Sequence, residues 1–395
     1  MKRINLLCFL ALVVSAFGLS AQEDPAASQT PLFDREMLFR SGEKGYHTFR
    51  TPALITANNG DLVAICQGRV ESRHDYGNID LVAKISKDSG KSWGPLIPVL
   101  KEGEGTWGSY GAVLDKKTSH IHLLISANSK KHSQYGDKSP KKHDDEFEAI
   151  DEWGERRVVH VVSKDSGKSW GKPRDCTQAL VPKSYTWDAV GPGIGIQILH
   201  GDRKGRLVIP AIGRNLYSDD HGKTWKYEML PRGTSESAVV EYKDGLLMRN
   251  DRGVKKNAEL KRRFVSKESA PGKWSGFTPD RQLIDPVCQA SMLRYTGTPE
   301  KSRLLFFNPA MEQERSQMRL RMSYDGGKTW PVSKLVSPPR KKGDAESRNH
   351  GGYSSIAKTH DLRIGMLYEY NDDIKDADGG RSVIFAKANL GWLLN

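Results

Sequence analysis

The sequence predicts an all-β chain folded as a six-bladed β-propeller, and three observations carry that expectation. The first is a repeat. "SKDSGKSW" at 86–93 returns letter for letter at 163–170, and "SDDHGKTW" at 218–225 and "SYDGGKTW" at 323–330 keep the frame S-x-D-x-G-x-[ST]-W. The second is a set of strand-length runs rich in branched and aromatic residues, among them "DLVAICQGRV", "IHLLISA", "RLVIPAI", "SRLLFFNPA" and "IGMLYEY", each bounded by Gly, Asp, Asn or Pro. The third is that no stretch sustains a 3.6-residue apolar period over several turns. Blades of about 40 to 50 residues divide this length into about six or seven. The long gap between the third and fourth repeats reads as two blades, one of which has lost the signature.

Taken from the N-terminus, residues 1–21 run from Lys2 and Arg3 through an apolar stretch to the small residues "LSA". That is the order of a cleaved secretory leader. The expectation is a signal peptide at 1–21, a single catalytic propeller at 22–395, and a secreted or periplasmic location without stable membrane insertion. Each octapeptide follows a strand. Its Asp suits a turn by bonding its own backbone, its Gly tolerates positive φ, and its Trp opens the next strand as a packing wedge. Asp88, Asp165, Asp220 and Asp325 are therefore read as turn-formers, not as catalytic acids. The polar stretch 130–157 reads as an inserted loop.

Cys66, Cys176 and Cys288 are odd in number, widely spaced and match no metal-ligand pattern, so the fold rests on its core. No metal or organic cofactor is expected. The chain is basic, with 61 Lys and Arg against 48 Asp and Glu. Its basic clusters are mixed with acids in loop-like segments, which reads as solvated surface and not as a nucleic-acid or membrane site. A basic balance also suits an anionic small substrate.

The repeat frame is the Asp-box. Together with "FRTPAL" at 49–54 it makes the chain resemble the sialidases, exo-α-neuraminidases of the bacterial glycosidase type, over nearly the whole mature length. Sialic acid carries a carboxylate on its anomeric carbon, and arginine binds a planar anion bidentately. The resemblance implies a carboxylate clamp of Arg50 in "FRTP", Arg252 in "NDRG" and Arg315 in "QERS". Arg249, Arg319 and Arg321 stand close enough to leave the register of the second and third arginines open.

Sialidases differ from ordinary glycosidases in using a tyrosine nucleophile. A phenol with a pKa of about 10 needs a base to become nucleophilic. The resemblance implies Tyr353 in "GGYSS" as nucleophile and Glu236 in "TSES" as its base. It implies Asp75 in "RHDYGNID" as the acid/base that protonates the leaving oxygen and then activates water. Asp80 is left as a structural residue and His74 as a loop neighbour. Arg69 resembles the arginine facing the sugar's ring hydroxyls, and Glu369 in "LYEY" the carboxylate that orients Arg50. The segment "TWGSYGAVLD" departs from the pattern. Gly111 or Ala112 stands where many sialidases keep an Asp near the C4 and N-acyl groups, so Trp107, Ser109 or Asp115 is a candidate substitute. Trp187 is a candidate stacking surface or a core residue.

The function implied is retaining hydrolysis of terminal α-linked sialic acids from sialylated glycans by a monomer. A trans-sialidase, a hydrolase for another nonulosonic sugar and a non-catalytic sialic-acid-binding propeller are the alternatives.

Overall fold

The computed structural model describes residues 24–101, 105–136, 147–231, 233–254, 258–298, 301–337, 350–371 and 381–395. The leader expected at 1–21 lies outside them. Within the inserted loop the described parts pair as short parallel strands, His132–Ser133 with Glu148–Ala149.

Antiparallel strands dominate the described residues. The two α-helices among them, Thr177–Leu180 and Leu390–Leu394, are each about one turn long. Four separate sheets have four or five strands. The first mixes both ends of the chain: Phe33–Phe39 pairs with Arg381–Ala388, which continues through Ile364–Asn371 to Ser354–Lys358. The others are Ile196–Gln197 to Lys226–Met229, Thr234–Lys243 to Thr278–Ile284, and Ser291–Thr298 to Val332–Leu335.

The fifth sheet corrects the expectation of six separate blades, because it has nine strands. It holds two antiparallel halves, one beginning with Thr48–Thr56 and the other with Gly105–Leu114. A single parallel bridge, Ile79 to Thr106, fuses them. The bridge forms where the strand Ile79–Ser86 begins, and Thr106 Oγ1 donates to the Gly77 carbonyl at 2.6 Å beside it.

The innermost strands pack against one another in a closed circle, and this makes the arrangement a propeller. Thr48–Thr56 touches Gly105–Leu114, the contacts run on through Leu207–Ala211, Thr234–Lys243 and Ser291–Thr298, and Ser354–Lys358 returns to Thr48–Thr56. Burial follows from this. Every residue of Leu62–Arg69 is buried, as expected for strands covered on both faces. At the rim, three of the four residues of Lys226–Met229 are exposed. Apolar clusters join neighbouring sheets: Leu305, Phe307 and Met318 pack with Ile356, Met366 and Ile384. Burying side chains of this size stabilises the fold by about 1.5–3 kcal/mol each.

The four repeats form one kind of turn. In the first, Asp88 Oδ1 accepts from the Ser92 amide at 2.9 Å and Oδ2 from the Ser92 hydroxyl at 2.6 Å, while the Gly90 amide donates to Ser86 Oγ at 2.7 Å. Asp165, Asp220 and Asp325 accept equivalently. The two central residues have positive φ each time, 59° and 80° at Ser89 and Gly90, so glycine in the second place removes one Cβ clash. Trp93 then packs edge-on against Phe385 of the first sheet at 5.0 Å, and Trp225 against His122 and His160 of the nine-stranded sheet. These two tryptophans wedge sheets apart, as the sequence predicts.

Candidate active site

The expected residues come from the nine-stranded sheet and three of the separate sheets, and meet at one end of the propeller axis. Arg50 lies in Thr48–Thr56, where the register shifts between Arg50 and Ala53. Thr51 within that bulge has φ 53°, a strained value for a β-branched residue. The kink is held from outside. The Thr51 amide and Arg50 Nε both donate to Glu369 Oε1 at 3.0 Å, and Tyr110 Oη donates to the Thr51 carbonyl at 2.8 Å.

Glu369 is fully buried in Ile364–Asn371. Its other oxygen accepts from Arg381 Nη1 at 3.2 Å and from the Tyr353 amide at 3.3 Å. Burial pushes its carboxyl up, but the charges of Arg50 and Arg381 and the Thr51 amide outweigh that and hold it at about 2. Gly352 makes the approach possible, since a Cβ there would lie 2.4 Å from Glu369 Oε2.

Tyr353 sits at the centre. It is nearly buried, its hydroxyl donates to Glu236 Oε1, and it accepts from Arg252 Nη1 at 3.1 Å. The same Arg252 nitrogen donates to Glu236 Oε2 at 2.6 Å. Arg50 and Arg315 place their Cζ atoms 5.0 and 5.3 Å from the centre of the Tyr353 ring. Three guanidinium groups thus surround one phenol, and the clamp register left open by the sequence resolves to Arg252 and Arg315. Arg249 is fully buried and bound to Asp251 at 3.0 Å, and Arg321 donates to Asn308 at 2.8 Å. Burial and the negative Glu236 push the Tyr353 hydroxyl well above its ordinary range, against the pull of Arg252, Arg315 and Arg50. In the free protein it is a neutral phenol.

Asp75 lies in the loop between Leu62–Arg69 and Ile79–Ser86, with its side chain 75 % exposed. Its Oδ1 is 3.0 Å from Arg50 Nη1 and 2.7 Å from Arg69 Nη2. Although desolvation opposes it, the charges of Arg69 and Arg50 hold this carboxyl well below the usual range. Arg69 is tied down by Gln67 and by the Arg73 and His74 carbonyls, so its donors serve the Asp75 loop instead of standing free for a ring hydroxyl. His74 stacks on Tyr76 at 5.1 Å, and Asp80 accepts from Tyr46 Oη at 2.8 Å away from the cluster.

The substitutes considered for the missing acid fare differently. Asp115 is corrected: it is buried beyond the far end of Gly105–Leu114, held by Thr118 at 2.7 Å and His221 at 2.9 Å. Gly111 pairs with Gly193, and a Cβ there would lie 2.3 Å from Ile209, so no side chain fits. Trp107 is buried, and its carbonyl accepts from Gln67 at 3.2 Å. Gln67 and Arg381 are contributors that the sequence reading missed. Gln67 was findable, since it lies two residues before Arg69 on one strand and shares its face; nothing local marks Arg381.

Elsewhere, His200, Glu241 and Asp244 converge as a metal site would require, but Arg294 already lies 3.4 Å from Glu241 and 2.8 Å from Asp244.

A family model described as a BNR repeat-like domain matches residues 147–368. An exo-alpha-sialidase of Aspergillus fumigatus is 36% identical over 98% of this chain and 97% of its own length. The chain belongs to the sialidase family. That relative is fungal, so the kinship is with sialidases at large and not with bacterial members in particular. Among solved structures, a Hadza microbial sialidase superposes with a TM-score of 0.72 at 24% identity, covering 91% of this chain and 69% of its own. An intramolecular trans-sialidase from Ruminococcus gnavus superposes with a TM-score of 0.74 at 17% identity, covering 91% and 98%. At such identities these two speak for the sialidase-like propeller fold.

Proposed function

We propose that the chain is an exo-α-sialidase that releases terminal α-linked sialic acids from glycans with net retention, through a covalent intermediate on Tyr353. The observation that carries this reading is the Tyr353 hydroxyl, shared between Glu236 and Arg252 inside a ring of three arginines. Arg50, Arg252 and Arg315 bind the substrate carboxylate. Asp75 gives its proton to the glycosidic oxygen as that bond breaks, and Tyr353 Oη attacks the anomeric carbon while its proton passes to Glu236. Water then attacks the same carbon, losing a proton to Asp75, and Tyr353 leaves as a phenol with the proton returned from Glu236. A neutral phenol suits this task, because an anionic nucleophile would be repelled by the carboxylate on the carbon it attacks.

The free-state pairing of Asp75 bears on the first step. A general acid must hold a proton, and in the free protein the Arg50 and Arg69 charges prevent that. A substrate carboxylate arriving at Arg50 neutralises one of these charges and displaces Asp75, which raises its proton affinity when the proton is needed.

The test is release of a fluorogenic leaving group from an α-sialoside. Wild type should turn over, and Tyr353→Phe should lose about a thousandfold or more in kcat, the scale of removing a catalytic group that acts as a unit. A wild type without turnover contradicts the enzyme reading. Full turnover by the phenylalanine variant contradicts the nucleophile. Export belongs to the same proposal, with 1–21 removed and 22–395 acting as one unit. N-terminal sequencing of exported protein should begin at Gln22, and retention of Met1 would contradict it.

A further inference from the structure

One buried cation lies beside this site without an acid of its own. Arg156 is 3 % exposed and immediately precedes the strand Arg157–Ser163. Its Nε donates to the Asp188 carbonyl at 2.5 Å, its Nη1 donates to Asn128 Oδ1, and its guanidinium lies 4.0 Å from the ring centre of Trp187. Both acceptors are neutral. The Asp188 carboxylate is engaged elsewhere, by Arg214 at 2.8 and 2.7 Å. Burying a cation without a paired acid is costly. The carboxylates whose charge bears on it are those of Asp188 and, from the catalytic loop, Asp75.

The position of the guanidinium is set by the missing side chain of Gly108. A Cβ there would lie 2.6 Å from Arg156 Nη2, and that nitrogen makes no hydrogen bond among the described residues. Gly108 belongs to "TWGSYGAVLD", the segment where the family resemblance implied an acid near the sugar's C4 and N-acyl groups. Here the acid is absent, Gly111 leaves no space for one, and a guanidinium fills the gap beside the same strand.

We propose that Arg156 is a specificity-determining residue. It favours nonulosonic acids that carry a hydroxyl, in place of an acylamino group, on the ring carbon facing Gly108. The proposal rests on the sialidase reading above. A hydroxyl oxygen is small and accepts from Nη2. An acyl group needs room that the guanidinium occupies, and its methyl would desolvate the charge without offering it an acceptor.

Two fluorogenic α-ketosides test this, one of N-acetylneuraminic acid and one of the same sugar with a hydroxyl at C5. Wild type should show kcat/KM higher for the hydroxyl sugar by about tenfold or more, the scale of one hydrogen bond to a charged group. In Arg156→Leu that ratio should fall by about tenfold or more, through a loss on the hydroxyl sugar and a gain on the acetamido sugar. Arg156→Lys keeps the charge and should keep the order of preference, which guards against a leucine variant that fails to fold. A wild-type preference for the acetamido sugar, or an unchanged ratio in folded Arg156→Leu, overturns the proposal and leaves the sialidase reading standing. No turnover of either sugar by wild type overturns the reading beneath it.

Discussion

Glu369 shows how much of the site hangs on a residue that does no chemistry. It binds Arg50 and Arg381, and it caps the strained Thr51 amide. Removing one partner of a buried ion pair costs about 3–5 kcal/mol, so Glu369→Ala should lower the denaturant midpoint by that scale and release Arg50 from its place. The acid dependence follows from its carboxyl, held at about 2 against an ordinary 4.5. A depressed folded value stabilises the fold above about pH 4.5 and loses that contribution as pH falls toward 2. The stability gap between wild type and Glu369→Gln should therefore shrink over that window. A gap that stays constant in chemical denaturation from pH 6 to pH 3 would contradict the assignment. At this scale the sequence was legible where a residue sits in a motif, as Arg50 and Tyr353 do. It was silent on Arg156 and Arg381, which are brought in from distant segments and carry no local pattern, and it could not choose between Arg249 and Arg252. Burial decides that choice, since Arg249 is spent on Asp251 inside the sheet.

The repeated turn is the element whose role was read most directly from sequence. Each Asp accepts from an amide and a hydroxyl four residues on, which needs only Asp, Gly and Ser or Thr at fixed offsets. Asp165→Ala should cost about 1 kcal/mol per net hydrogen bond lost, visible as a lower Tm, while kcat stays at the wild-type value. A selective loss of kcat with stability unchanged would make Asp165 catalytic and reverse the reading. The sheet count was less legible. Strand-length runs announce strands, but the Ile79 to Thr106 bridge depends on two backbones meeting across the site loop, and no side-chain pattern encodes that meeting. The same holds for Asp115. Its motif position suggested the pocket, whereas the strand's direction carries it to the opposite end.

For the whole molecule, closure is what makes scattered motifs into one site. The N-terminal strand pairs with the C-terminal one, so the sheets form a ring, and loops at one end of the axis face each other. Tyr353 and Glu236 are 117 residues apart, yet share a proton position. The central claim is that this phenol becomes covalently bound to the sugar. A 3-fluorinated sialosyl fluoride, whose intermediate hydrolyses slowly, should leave one sugar on the protein, and peptide mass spectrometry should place it on Tyr353. Labelling of Asp75 or Glu236 instead, or rapid turnover of the reagent by Tyr353→Phe, would contradict the account.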